Sequence, residues 1–150
     1  MHRKVAAAFV AALALGVASC GSSEPPLTRA QLVRRVEAAC REAQQASQRQ
    51  TRSSSGSSRS ANALAFVEAV VAGQKVAIDR IEELDAPDEA KDAFDTFKQS
   101  MQQRADLFDR VKSAGATNLQ RAMATAQREG EAVTRRLQQA VRDLGVEGCT

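Results

Sequence analysis

Three cysteines, Cys20, Cys40 and Cys149, are the side chains of this chain best equipped for covalent chemistry. A thiolate can be alkylated, oxidised to a disulfide or bound to a metal. Spacing narrows that choice, because no Cys-x-x-Cys occurs and neither a zinc ribbon nor a thioredoxin-type redox pair is written here. The single histidine is His2, at the extreme start. If the start is removed, the rest lacks the commonest general base and metal ligand, and a Glu-x-x-His di-iron site cannot be assembled. No glycine-rich phosphate loop is present, which excludes the usual nucleotide cradle. Tryptophan and tyrosine are both absent, so sugars, choline and single-stranded nucleic acid find no obvious stacking platform. The acids Glu82-Glu83-Asp85 and Asp88-Glu89-Asp92 lack EF-hand spacing and read as a solvated turn. Met101 and Met123 fall at helical core spacing, where methionine fills gaps and does not bind copper. The expectation is a protein that is not an enzyme and has no cofactor, no metal, no nucleotide and no nucleic-acid partner.

The first cysteine has a setting of its own. His2-Arg3-Lys4 is a short cationic start, and Val5 to Val17 is almost continuously apolar. This is the form of an export signal; spanning a bilayer takes about 20 apolar residues, more than this run supplies. The run ends in Val17-Ala18-Ser19-Cys20, which resembles the lipobox of bacterial lipoproteins. The resemblance implies cleavage after Ser19 and a covalent diacylglycerol on Cys20. An ordinary secretory signal, with Cys20 left as an odd thiol, is the alternative. Two acyl chains anchor stably at ~0.8 kcal/mol per buried CH₂. The expected location is therefore extracytoplasmic, on the outer face of the plasma membrane, with the membrane itself as a partner through the lipid anchor. Residues 1–19 form the cleavable signal peptide, 20–27 the lipidated cysteine and tether, and 28–150 the folded domain. The tether is polar and proline-ended, and its six residues before Leu27 reach roughly 20 Å when extended.

Two cysteines remain for the domain, an even number in a compartment where disulfides persist. Pairing Cys40 with Cys149 closes a loop of nearly the whole domain, for which the chain-entropy relation gives roughly 4 to 5 kcal/mol. Two free buried thiols are the other possibility. Loss of Arg3 and Lys4 leaves nineteen basic against eighteen acidic residues, a balance that calls for no polyanionic partner. The distribution is uneven, with seven arginines from Arg29 to Arg59 and nine acids from Glu68 to Asp95. Helix faces that attract one another account for this more simply than a basic face on anionic lipid, where each charge contributes about 1 kcal/mol.

The elements that must position these residues read as helices throughout. Thr28 and Gln31 have capping-box spacing, and Leu27 and Leu32 occupy the staple positions. Leu32, Val33, Val36, Ala39, Cys40 and Ala43 then recur by threes and fours, which turns Cys40 toward the core. The stripe fades past Ala46, and residues 51–60 form a serine-rich linker. A second helix is predicted over about 61–84, with Leu64, Val67, Val71, Ile78 and Ile81 in a heptad-like seam that Gln74 interrupts, and with Phe66, Val70, Ala77 and Leu84 widening its apolar face. Gly73 beside Gln74 costs about 1 kcal/mol relative to alanine in mid-helix, and marks a close helix crossing or the floor of a pocket.

Pro87 followed by Asp88 and Glu89 starts the third helix, whose buried side carries Phe94, Phe97, Met101, Phe108 and Val111. Gly115 stops it, and Thr117 with Gln120 repeats the capping-box spacing for the fourth. That helix carries Leu119, Met123, Ala126, Val133, Leu137, Val141 and Leu144, with Gly130 in mid-run, and Gly145 and Val146 have the placement of a Schellman stop.

Four helices on short links predict an all-α, antiparallel up-down four-helix bundle preceded by the cleavable lipoprotein signal peptide. In such a bundle the fourth helix ends beside the start of the first, whereas Cys40 stands about 18 Å along it at 1.5 Å per residue. The short tail must fold back to meet it, or the first helix must be displaced. The lipobox, Ala38-Ala39-Cys40-Arg41, Leu84-Asp85-Ala86-Pro87 and the terminal Leu144-Gly145-Val146-Glu147-Gly148-Cys149 together resemble a group of small actinobacterial lipoproteins of unknown function. The likeness spans most of the chain after the signal and implies no activity. The function expected is a non-enzymatic, lipid-anchored envelope protein that binds a partner protein or the cell wall near the membrane. The alternative is a carrier of a small apolar ligand, held between helices near Gly73, Gln74 and Gly130.

Overall fold

The computed structural model describes residues 27–53 and 59–149. The signal peptide, Cys20, the tether up to Leu27 and the middle of the serine-rich segment lie outside the described residues. Four helices make up the fold: α1 (Arg29–Ser53), α2 (Arg59–Glu82), α3 (Lys91–Ser113) and α4 (Gly115–Leu144). A single 3-10 turn, Asp88–Ala90, leads into α3, and no strand occurs among the described residues.

Local sequence accounts for most of the boundaries. The Thr28 backbone N–H donates to Gln31 Oε1 at 2.8 Å, and the Gln31 N–H donates to Thr28 Oγ1 at 3.3 Å, so the first capping box closes in both directions. Pro87 stands just before the 3-10 turn, with α3 beginning three residues beyond Asp88. At the far end Gly145 is left-handed (φ 77°), and the N–H groups of Val146 and Gly145 donate to the carbonyls of Val141 and Arg142. These are the two bonds of a Schellman stop.

Several boundaries differ from the sequence reading: α2 stops at Glu82, short of about 84, and Pro87, expected at the first position of the third helix, precedes a 3-10 turn, so that α3 starts only at Lys91. The linker expected over residues 51–60 is narrower, because α1 continues to Ser53 and α2 begins at Arg59. Hydroxyls sustain the extra turn of α1: Thr51 donates to the Ser47 carbonyl at 2.9 Å and Ser53 to that of Gln50 at 2.9 Å. The Thr117 capping box is not used. Helix α4 already starts at Gly115, with no side-chain cap, and only Ala114 separates it from α3. Gly115 takes φ 66°, a left-handed conformation that reverses the chain within one residue and is open to glycine at no steric cost.

Packing is closest for α1 on α2 and for α3 on α4, looser for α2 on α3, and slight for α2 on α4. Contacts between Gln103 and Arg136, and between Arg110 and Glu129, show that α3 and α4 run antiparallel. The principal core gathers Leu32, Val36, Ile81, Phe94, Phe97 and Leu144, all at most 1 % exposed. A smaller one holds Val67, Val111 and Leu119 toward the other end.

Cys40 and Cys149 are joined, with their Cα atoms 5.4 Å apart. The tail folds back, the first of the two ways open to it. Arg29 donates to the Asp143 carbonyl at 2.6 Å, which fixes the end of α4 beside the start of α1. The tail then climbs α1, with the Glu147 N–H on the Glu37 carboxylate and the Gln44 amide on the Gly148 carbonyl, each at 3.2 Å. Val146 and Cys149 bury themselves in the principal core on the way.

Candidate functional site

Between the two cores the helices contribute a layer of a different kind. The α2 seam has Gln74 where its neighbours are aliphatic, and the α3 series Phe94, Phe97, Met101, Phe108, Val111 has Arg104 in its one vacant heptad place. The α4 seam has Gly130 between Ala126 and Val133, and α1 offers Ala43 and Ser47. Polar or small residues at mid-height on all four helices cannot fill the space that the large side chains fill below.

Two hollows result. The larger is a groove of about 880 Å³ on α3 and α4, with Ala63 of α2 at its edge. Leu107, Phe108, Val111, Met123 and Val133 give it an apolar wall. The smaller, about 350 Å³, lies among α1, α2 and α3 and is lined by Gly73, Gln74, Met101 and the Cys40–Cys149 bridge. Arg104 lines both.

The three glycine and glutamine positions singled out in the sequence fall into these hollows, though not into one. Gly73 and Gln74 line the smaller, Gly130 the larger. Gly73 is also a close crossing: a Cβ there would stand 2.0 Å from Ser47 Oγ and 2.7 Å from the Ala43 carbonyl oxygen of α1. At Gly130 a Cβ would meet only the Leu107 methyl, at 3.3 Å.

Gln74 is 8 % exposed, and neither its amide nitrogen nor its oxygen has a hydrogen-bond partner among the described residues. Leaving a buried amide unpaired costs about 1–3 kcal/mol. Arg104 is half-buried, and its burial, without help from any neighbouring charge, lowers its pKa from the usual arginine value. It remains a cation at neutral pH. The acid that lines the groove, Glu131, is turned to Arg135 at 3.8 Å.

Arg104 was not singled out in the sequence, although the signal was there: it is the one charged residue in an otherwise apolar a/d series. The sequence places Met123 and Phe66 on buried faces, whereas both are exposed, at 40 % and 58 %. For Met123 the reason lies on α1, whose apolar stripe gives way to Ser47-Gln48-Arg49-Gln50 and which makes no contact with α4 comparable to its packing on α2. Among the described residues no group of three or more His, Cys, Asp or Glu is placed to hold a metal ion. One described helix, Ala61–Glu82, is long and apolar enough to cross a membrane.

No known family model matches the chain, and neither the curated proteins nor the solved structures contain a match to it.

Proposed function

We propose that this is a non-enzymatic envelope protein, exported by residues 1–19, anchored through diacylglycerol on Cys20, and built as an antiparallel up-down bundle that carries an apolar ligand between its helices. The observation that carries the reading is the groove on α3 and α4, whose volume of about 880 Å³ falls in the range of ligand sites, about 300–1,000 Å³. Its lining is mainly apolar, with a minority of polar side chains, among them Arg104, Glu131 and Arg135, as in such sites. The expectation from sequence put a partner protein or the cell wall first and the carrier second; we place the carrier first on the strength of the groove. The tether supports a position close to the lipid headgroups, where apolar molecules are available.

The test is native mass spectrometry of the full chain released from its membrane. A bound apolar molecule at one per chain is expected, and Ala126→Trp, which pushes an indole into the groove, should expel it. A chain that comes off the membrane with its groove empty, and takes up no apolar molecule offered to it, overturns the carrier reading.

A second reading has its own observation. Phe66 and Met123 are large apolar side chains left exposed, and exposed apolar surface is where protein partners dock. Replacing Phe66, which lies outside the groove lining, by Ser should abolish capture of such a partner while leaving the ligand in place.

A further inference from the structure

We propose that the ligand is a single-chain amphiphile with a carboxylate head, a long-chain fatty acid, with its tail along the α3–α4 groove and its head on Arg104. This rests on the reading of the groove as a ligand site and adds the chemistry of what fills it.

Arg104 is the one residue that lines both the groove and the smaller hollow. A guanidinium presents a fixed fork of donors that fits a carboxylate in a bidentate pair. Without such a partner its charge is only partly hydrated, and no described acid supplies one. Gln74 lines the same smaller hollow, more than nine-tenths buried, with both amide atoms unpaired. A head group there gains one charge-assisted pair from Arg104, and an amide donor from Gln74 once that side chain, whose polar atoms are sealed from solvent, turns toward the hollow. Both polar groups then find partners in the low-dielectric layer where an orphan is most costly.

The charge count selects a carboxylate over a phosphate. Arg135, the other guanidinium on the groove, is paired with Glu131 at 3.8 Å, so Arg104 is left to balance a single negative charge, whereas a phosphate monoester brings about −1.5 to −2 and would leave part of it unmatched. Beyond the head, Leu107, Phe108, Val111, Leu119, Met123 and Val133 offer an apolar bed, beside polar side chains such as Gln120, Gln127 and Thr134, and each buried methylene of a tail contributes about 0.8 kcal/mol. An apolar molecule without a charged head would fill the groove and leave Arg104 and Gln74 unexplained.

The experiment uses the full chain with its anchor, held in phosphatidylcholine nanodiscs and irradiated with a diazirine-bearing hexadecanoic acid or the matching hexadecanol. Labelled peptides are read by mass spectrometry. The acid should label the α3 and α4 peptides carrying Leu107, Met123 and Val133 about tenfold more than the alcohol does. Arg104→Met should bring acid labelling down to the level of the alcohol, and Arg104→Lys should retain most of it; circular dichroism confirms that both variants remain helical. Unlabelled palmitate should compete, and phosphatidylglycerol added to the nanodiscs should not. Equal labelling by acid and alcohol in the native chain overturns the carboxylate head and leaves the groove as a ligand site. Competition by phosphatidylglycerol as strong as by palmitate overturns the assignment to a free fatty acid. Labelling of these peptides by neither probe removes the ligand site itself.

Discussion

The half of the bundle that holds the Cys40–Cys149 bridge and the half that holds the groove are built from the same helices under different rules. Below, Phe94, Phe97, Leu32 and Ile81 interlock with almost no exposure, and the tail is both oxidised onto α1 and hydrogen-bonded along it. Above, Val67, Val111 and Leu119 form a much smaller buried cluster, and α4 keeps an apolar face that α1 does not cover. The layer of Gln74, Arg104 and Gly130 lies between. The contrast teaches that stability is concentrated where the tail is stapled, and that the other half can leave space open without unfolding the whole.

Substitutions can break that contrast. The largest effect expected is Phe97→Ala, which should cost about 3–5 kcal/mol in denaturant unfolding, against a change within about 0.5 kcal/mol for Met123→Ala; similar costs at the two sites would erase the distinction. Cys149→Ser comes next, at about 2–5 kcal/mol. Amide exchange in that variant should quicken in the tail and the first half of α1 and change little in residues 115–130.

Smaller effects sharpen the boundary between the halves. Gly73→Ala must push apart Ser47 Oγ and the Ala43 backbone and should destabilise by about 1–3 kcal/mol. Gly130→Ala meets only one leucine methyl and should gain up to about 1 kcal/mol from helix propensity. Thermal melts of the pair, moving in opposite directions, would separate a structural glycine from one that leaves room. Smallest, Gln74→Leu should stabilise the chain by about 1 kcal/mol, because it removes an unpaired buried amide and keeps its bulk.

Much of this architecture was legible residue by residue. Thr28 and Gln31 announced α1, Gly145 and Val146 announced the end of α4, and the seams placed Cys40, Phe94, Phe97 and Leu137 in the core, because each depends on neighbours within one or two turns. Burial of Phe66 and Met123 depends instead on which helix lies opposite, and a stripe on one helix does not state how far its neighbour's stripe extends. The groove escaped for the same reason: it exists because the apolar stripe of α1 ends early while that of α4 does not. Gln74 stood out as a break in its own seam. Arg104 is an equal break in the seam of α3, and reading all four seams for interruptions at one height would have brought the two together.

The most direct test of the central claim, that the polar layer gives up stability to hold a ligand, is thermal melting of the native chain and of Arg104→Met, each with and without submicellar palmitate. Alone, Arg104→Met should melt higher, since a desolvated cation without a partner is replaced by hydrocarbon. With palmitate at about 100 times its dissociation constant, the native chain should gain about 2.7 kcal/mol and overtake the variant, which should gain far less. A native chain that melts at the same temperature with and without palmitate, or an Arg104→Met chain that melts lower alone, would contradict the account.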